Sequence, residues 1–214
     1  MFPRLLPVTK ALLIANGVIY LLQLLMGGVL EQWLALWPVG YGFMPWQVLS
    51  YGFLHDPSGL THLLFNMLAL YMFGSPLEQT WGQKRFLTYF LVCVAGAGLL
   101  QLGVGWWTVW NGGMPYKTVG ASGGVFGLLL VYRMVFPNQR MIVFPLPMEI
   151  RARTLVIFYA AITLLMGFTG LQPGVAHFAH LGGMLFGWLL IRYWRGQPPF
   201  GKRRPPPPRM RIVK

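Results

Sequence analysis

An all-α membrane protein, built as a six-transmembrane-helix bundle with both termini cytoplasmic, is the fold expected from this sequence. Three observations carry that expectation. The 214 residues are 56% hydrophobic and only 10% charged, with a mean hydropathy of +0.56, a balance foreign to soluble domains. Six apolar stretches come close to the roughly 20 residues that a helix needs to cross the hydrocarbon core. The basic residues are segregated between connections as the positive-inside rule requires.

The spans are expected at 10–30, 60–79, 86–107, 120–136, 154–170 and 177–194. The last three are short, so tilt or local bilayer thinning is expected around them. The first is too long for a signal-peptide core, and no Ala-x-Ala site follows it. With the N-terminus cytoplasmic, Arg4, Lys10, Lys84, Arg85, Arg133, Arg140, Arg151, Arg153 and the C-terminal basic residues all fall inside. Of the 17 Lys and Arg residues, only Lys117 falls outside.

The chain divides into a six-span core, residues 1–194, and a basic, proline-rich cytoplasmic tail, residues 195–214. Arg192 to Lys214 hold eight basic residues around Pro205-Pro206-Pro207-Pro208. Such a segment is expected to be solvated, partly polyproline II, and drawn to anionic lipid headgroups. The net charge of +13 is thereby accounted for without a nucleic-acid partner. Cys93 is the single cysteine, so no intrachain disulfide forms, and its mid-span position suits a small apolar filler. The external connection 31–59 carries Trp33, Trp37, Tyr41, Trp46 and Tyr51, residues that favour the headgroup region, so it is expected to lie along or dip into the outer interface. Residues 108–119, with Asn111-Gly112-Gly113 and Pro115, read as a turn-rich approach to the fourth span. The cytoplasmic connection 137–153 carries three prolines, and the short external one at 171–176 holds Pro173-Gly174.

Polar residues stand out against this background. Ser122 lies in Gly120-Ala121-Ser122-Gly123-Gly124, His180 in Ala179-His180-Leu181-Gly182-Gly183, and His62 and Asn66 in His62-Leu63-Leu64-Phe65-Asn66. If the first span runs outward, spans two, four and six all run inward, and each group sits near the outer start of its span. Serine becomes a nucleophile when a base takes its proton, and neutral histidine is the usual base. A serine at a helix N-terminus is surrounded by unpaired N–H groups and the positive end of the helix dipole, which suit a developing oxyanion. His62 and Asn66, one turn apart on one helix face, add two donors. Gly123 and Gly124 are expected to leave room for an approaching peptide. Gly123-x-x-x-Gly127 and Gly183-x-x-x-Gly187 allow spans four and six to approach closely, carrying Ser122 towards His180.

Gly120 to Gly124 also fit the G-x-S-x-G nucleophile elbow, but that motif needs a preceding strand and an acid before the histidine. The only acid between Ser122 and His180 is Glu149, expected on the opposite side of the membrane. A Ser-His dyad is the sounder assignment. His177 suits an interfacial or supporting place, Asp56 a turn cap before Pro57-Ser58-Gly59, and Glu78 a structural pairing with Lys84 or Arg85. No His-Glu-x-x-His and no pair of intramembrane aspartates is present, and only His177 and His180 are close in sequence among the four histidines, so neither a metal nor a cofactor is expected.

These motifs resemble those of the rhomboid family of intramembrane serine proteases over about residues 10 to 194. The resemblance rests on Leu54-His55 leading to His62 and Asn66, on Gly120-Ala121-Ser122-Gly123, and on Ala179 to Gly183 with Gly187. It implies Ser122 as nucleophile, His180 as general base, and an oxyanion hole from the Ser122 N–H with the side chains of His62 and Asn66. It further implies transmembrane protein substrates cut near the outer face, a small residue before the cut, and lateral entry near the fifth span. Two positions depart from the family pattern: Trp46-Gln47 stands where Trp-Arg is frequent, and Phe126 supplies the aromatic four residues after the serine without a hydroxyl. The alternative is a non-catalytic protein of the same fold that binds transmembrane helices. A channel or transporter would want polar groups through the membrane depth, whereas here they gather at one level. Partners are expected to be transmembrane substrates and membrane lipids, in a bacterial plasma membrane. The sequence leaves oligomeric state, natural substrate and pathway open.

Overall fold

The computed structural model describes residues 3–142, 149–169 and 177–201. Most of them are helical. Six helices of 14 residues or more make the bundle, and the expected spans match them to within a few residues: α1 (Pro7–Met26), α4 (Leu60–Trp81), α5 (Gln83–Trp110), α6 (Ser122–Val135), α7 (Ala152–Thr169) and α8 (His177–Trp194). Two short helices, α2 (Val29–Leu34) and α3 (Gln47–Ser50), occupy the first connection, and a 3-10 turn at Tyr51–Phe53 follows α3. By length and composition, α1, α4 and α5 are long and apolar enough to cross a membrane, while α6 is a shorter apolar helix.

Local chemistry sets the helix ends. Pro7 opens α1, where its missing N–H is no loss. The first free amides of α1 are satisfied from another helix: the Glu78 carboxylate of α4 accepts Val8 N–H at 2.9 Å, Thr9 N–H at 2.8 Å and the Thr9 hydroxyl at 2.8 Å. This corrects the expected pairing of Glu78 with Lys84 or Arg85. A buried carboxylate at a helix N-terminus gains several amide donors and the helix dipole, more than an exposed lysine offers. Arg85 instead lies over the rings of Trp81 and Trp194. Gly82, at φ +78°, makes the one-residue turn between α4 and α5 that a side chain would strain.

The bundle is organised around α5, α6 and α8. A Cβ on Gly182 would meet the Ala97 Cα at 3.0 Å, and one on Gly183 would collide with the Gly123 carbonyl. A Cβ on Gly127 or Gly187 would run into Cys93, and Gly96 lies against the Phe186 ring. Backbones therefore touch where glycines face each other, as small-residue motifs permit. Cys93 fills the space between them and is fully buried. Leu70, Leu77, Phe86, Phe90 and Leu128 complete the core. Outward faces of the helices carry exposed Leu21, Leu25, Leu64, Phe65, Ile157 and Phe158, the inverse of a water-soluble surface and suited to lipid.

The all-α expectation misses one element. Arg140–Ile142 (β1) and Glu149–Arg151 (β2) pair antiparallel in the connection before α7, with an exposed Arg140–Glu149 ion pair at 3.2 Å. Three-residue strands are too short to register as alternation in sequence. The expected external connection at 171–176 and residues 202–214 of the tail lie outside the described residues.

Candidate active site

Ser122 is the first residue of α6, and the backbone just before it explains why. Gly120 sits at φ +130°, a conformation other residues rarely adopt, and its N–H donates to the Tyr51 carbonyl at 3.0 Å. The chain then turns into α6 with the N–H groups of its first turn free of intrahelical partners. A Cβ at Gly120 would sit 3.0 Å from Cε1 and Nε2 of His62 and 3.6 Å from Ser122 Oγ. The missing side chain thus leaves open the point where His62 and Ser122 converge.

Ser122 Oγ and His180 Nε2 are 2.8 Å apart. With Nε2 accepting the hydroxyl proton, the imidazole carries its own proton on Nδ1. That nitrogen has no hydrogen-bond partner among the described residues, so no carboxylate completes a triad there. Asp56 is occupied elsewhere: its carboxylate accepts the Ser58 N–H at 2.9 Å, a turn cap that holds its pKa below the usual carboxylate range. The Phe126 ring lies flat on His180, with centroids 4.2 Å apart and planes 3° from parallel, and fixes the imidazole plane. Ser122 and His180 are each partly exposed. His177 is buried and meets His180 edge to face at 6.2 Å, a supporting place.

His62 and Asn66 lie on the same face of α4. The Asp56 N–H donates to His62 Nδ1 at 3.5 Å, a long bond that favours the proton on Nε2, the nitrogen beside Gly120. Asn66 Nδ2 donates one hydrogen to the His62 carbonyl at 2.9 Å and keeps a second available. Ser122, His180 and His62 are therefore brought together, with Asn66 one turn below His62. His55, fully buried, packs edge-on against His62 at 5.1 Å.

One reading of individual residues changes, and one departure from the family pattern gains a structural role. Gly123 and Gly124 are not an approach path: Gly123 faces Ala97 of α5, and Gly124 faces the Phe90 ring at 2.5 Å from an added Cβ. They set helix packing, and Gly120 keeps the site open. Gln47, where the family frequently has arginine, is fully buried and pins the first connection. It accepts the Trp37 N–H at 3.2 Å and donates towards the carbonyls of Gly42 and Trp33 at 3.2 and 3.3 Å.

Sequence reasoning also passed over a polar cluster above the site. The Lys117 ammonium pairs with Glu31 at 2.8 Å, and Gln23 bridges Glu31 to the His55 backbone. A signal was present: Lys117 is the lone outer cation in the expected topology, and Glu31 is one of only four acids in the chain.

Comparisons with known proteins point to one family. RHOMBOID-like protein 2 of Arabidopsis thaliana is 33% identical over 153 residues, covering 68% of this chain and 41% of that protein. Rhomboid protease AarA of Providencia stuartii is 30% identical over 143 residues, 61% of this chain and 50% of the relative. Rhomboid protease GluP of Bacillus subtilis is 30% identical over 145 residues, 67% of this chain and 25% of the relative. The chain spans 25% to 65% of the length of such curated relatives. The rhomboid-domain family model matches residues 42–196, from the first connection through the end of α8, and the chain belongs to the rhomboid family.

Proposed function

We propose that this protein is an intramembrane serine endopeptidase that cuts transmembrane segments of other membrane proteins near the outer face of the bilayer. The observation that carries this reading is the 2.8 Å approach of Ser122 Oγ to His180 Nε2 beside a glycine-opened space bordered by His62. Ser122 Oγ attacks the scissile carbonyl while His180 Nε2 takes its proton. The oxyanion is met by the Ser122 N–H, His62 Nε2–H and the free amide hydrogen of Asn66. His180 returns the proton to the leaving amine, and a water, deprotonated by the same nitrogen, releases the acyl group. A substrate helix hides its carbonyls in its own hydrogen bonds, so it must unwind locally before attack.

In this reading α1, α4, α5, α6, α7 and α8 are six spans with both termini cytoplasmic, supported by the one-sided distribution of basic residues. The membrane is a bacterial plasma membrane, and residues 195–214 form a tail outside the 1–194 core. The length of α6 fits the chemistry. Its 14 residues reach about 21 Å at 1.5 Å per residue, against a core of about 30 Å. An inner end level with the cytoplasmic interface therefore leaves Ser122 several ångströms below the outer one, deep enough to meet a substrate span and shallow enough for water.

The test is labelling of the detergent-purified protein with a fluorescent fluorophosphonate, beside Ser122→Ala and His180→Ala. Labelling by the wild type alone is the expected result, followed by cleavage of a transmembrane substrate in liposomes that both variants fail to perform. A folded wild type that never labels and never cleaves, yet retains substrate helices as well as Ser122→Ala does, would replace this reading with that of a helix-binding protein.

A further inference from the structure

We propose that Glu31 is a positioning residue that holds the segment entering α6 and the segment entering α4 in one frame, an inference that rests on the catalytic reading above. Neither segment is helical where it delivers its residue. Residues 116–120 lead to Ser122, and residues 54–59 lead to His62. The first is fixed from the first connection, and the second from Gln23 near the end of α1.

Along 116–120, three consecutive anchors come from that connection. Lys117 Nζ meets Glu31 Oε2 at 2.8 Å. Thr118 and Leu36 exchange backbone hydrogen bonds at 3.0 and 2.9 Å. Gly120 N–H donates to the Tyr51 carbonyl, and Ser122 follows two residues later. On the other segment, His55 is gripped at both backbone groups by one side chain: its N–H donates to Gln23 Oε1 at 2.9 Å, and its carbonyl accepts Gln23 Nε2 at 2.8 Å. The His55 ring then braces His62. Glu31 joins the two chains of contacts, because its second oxygen, Oε1, accepts from the same Gln23 Nε2 at 2.9 Å.

Burial explains why one carboxylate can set this geometry. Glu31, Gln23 and His55 are 5%, 2% and 0% exposed. A buried carboxylate stripped of its cation is strongly disfavoured, so the Lys117–Glu31 pair stays closed and carries residues 116–120 with it. Small displacements of reacting groups are costly; a misplacement of about 1 Å lowers rates by up to about 100-fold. Glu31 touches neither substrate nor reacting atoms. Its effect passes through Lys117 to the Ser122 turn and through Gln23 and His55 to His62.

The experiment compares the full chain with Glu31→Gln, Lys117→Met, the double variant and Arg140→Ala, whose ion pair is exposed on the far hairpin. Three quantities are read: the fluorophosphonate labelling rate, kcat and KM on a cleaved substrate, and amide hydrogen exchange over 54–60 and 118–123. Each single variant is expected to lower labelling and kcat about tenfold at unchanged KM. The double should be no worse than either single, since both break one link, and exchange should rise in both segments together. Arg140→Ala should match the wild type. Lys117→Met alters the more exposed partner, so it keeps the test open if Glu31→Gln does not fold. Lowered melting with unchanged kcat would reduce the pair to a structural role, and additive losses in the double variant would break the link between the two residues. If the wild type never labels, the catalytic reading falls and the rate effect with it, while exchange still decides whether Glu31 ties the two segments.

Discussion

The two sides of the candidate site are held by opposite kinds of force. Ser122 and His180 meet because α6 and α8 touch backbone to backbone, with Gly183 against the Gly123 carbonyl and Gly127 close to the Gly183 carbonyl. His62 is held from the loop side by amides, a buried glutamine and an ion pair. The first kind of contact is steric and tolerates no added atom. The second is polar and graded, and it responds to solvent conditions. Substitutions should therefore fail abruptly on one side and progressively on the other.

The abrupt side predicts the largest effect. Gly183→Val places a side chain where the Gly123 backbone already stands. Overpacking usually costs about 1–3 kcal/mol, and backbone against backbone leaves no rotamer to relax, so a loss at or beyond the top of that range is expected. Gly17→Val in α1 and Gly103→Val in α5 are the matched controls, because an added Cβ at either meets nothing within 4 Å. Thermal melting followed by tryptophan fluorescence should separate Gly183→Val from both, and fluorophosphonate labelling should vanish only in it. Melting of Gly183→Val level with the controls would mean that α6 and α8 can separate without harm.

Gly120→Ala tests the junction of the two sides. Alanine at φ +130° is strained by about 1–3 kcal/mol, and its Cβ presses on His62 at 3.0 Å. The expected outcome is a labelling rate lowered about 100-fold in a protein that melts only a few degrees earlier. A rate within twofold of the wild type would show that the space above Gly120 is not where the reacting carbonyl sits.

The same division decides what could be read from the sequence. Glycine spacing and polar residues at span starts are local patterns, so the helix positions, the α6–α8 approach and the grouping of Ser122, His180 and His62 followed from periodicity and topology. The polar side did not follow. Gln23, Glu31 and Lys117 are separated by 8 and 86 residues, and no periodic rule links residues across a connection that folds back on itself. The partners of Glu78 are hidden for the same reason. The nearest charged residues in sequence are Lys84 and Arg85, but its partners lie about 70 residues away at the start of α1. Gly123 and Gly124 look like openings in sequence because the absence of a side chain does not say which neighbour fills the space.

The graded effect belongs to the polar side and is set by pH. His55 is fully buried, and burial with the nearby His62 pushes its pKa from 6.5 down to about 4. The unfolded chain therefore binds more protons than the folded one in that window, and stability falls as pH drops from 6.5 towards 4, by up to about 1.4 kcal/mol per pH unit. For Glu31, burial pushes the pKa up, but the hydrogen bonds from Lys117 and Gln23 and the Lys117 charge outweigh burial and the opposing Asp56, holding it below 4.5. Its contribution is present above pH 4.5 and is lost only as pH falls through that lower value. Acid should thus act in two stages, His55 first and Glu31 second. In melting curves taken from pH 7 to pH 3.5, His55→Phe should flatten the loss between pH 6.5 and 4.5 and leave the fall below it, whereas Lys117→Met should remove part of that lower fall. An unchanged slope above pH 4.5 in His55→Phe would place the first acid transition on another group and leave the loop side less titratable than its burial implies.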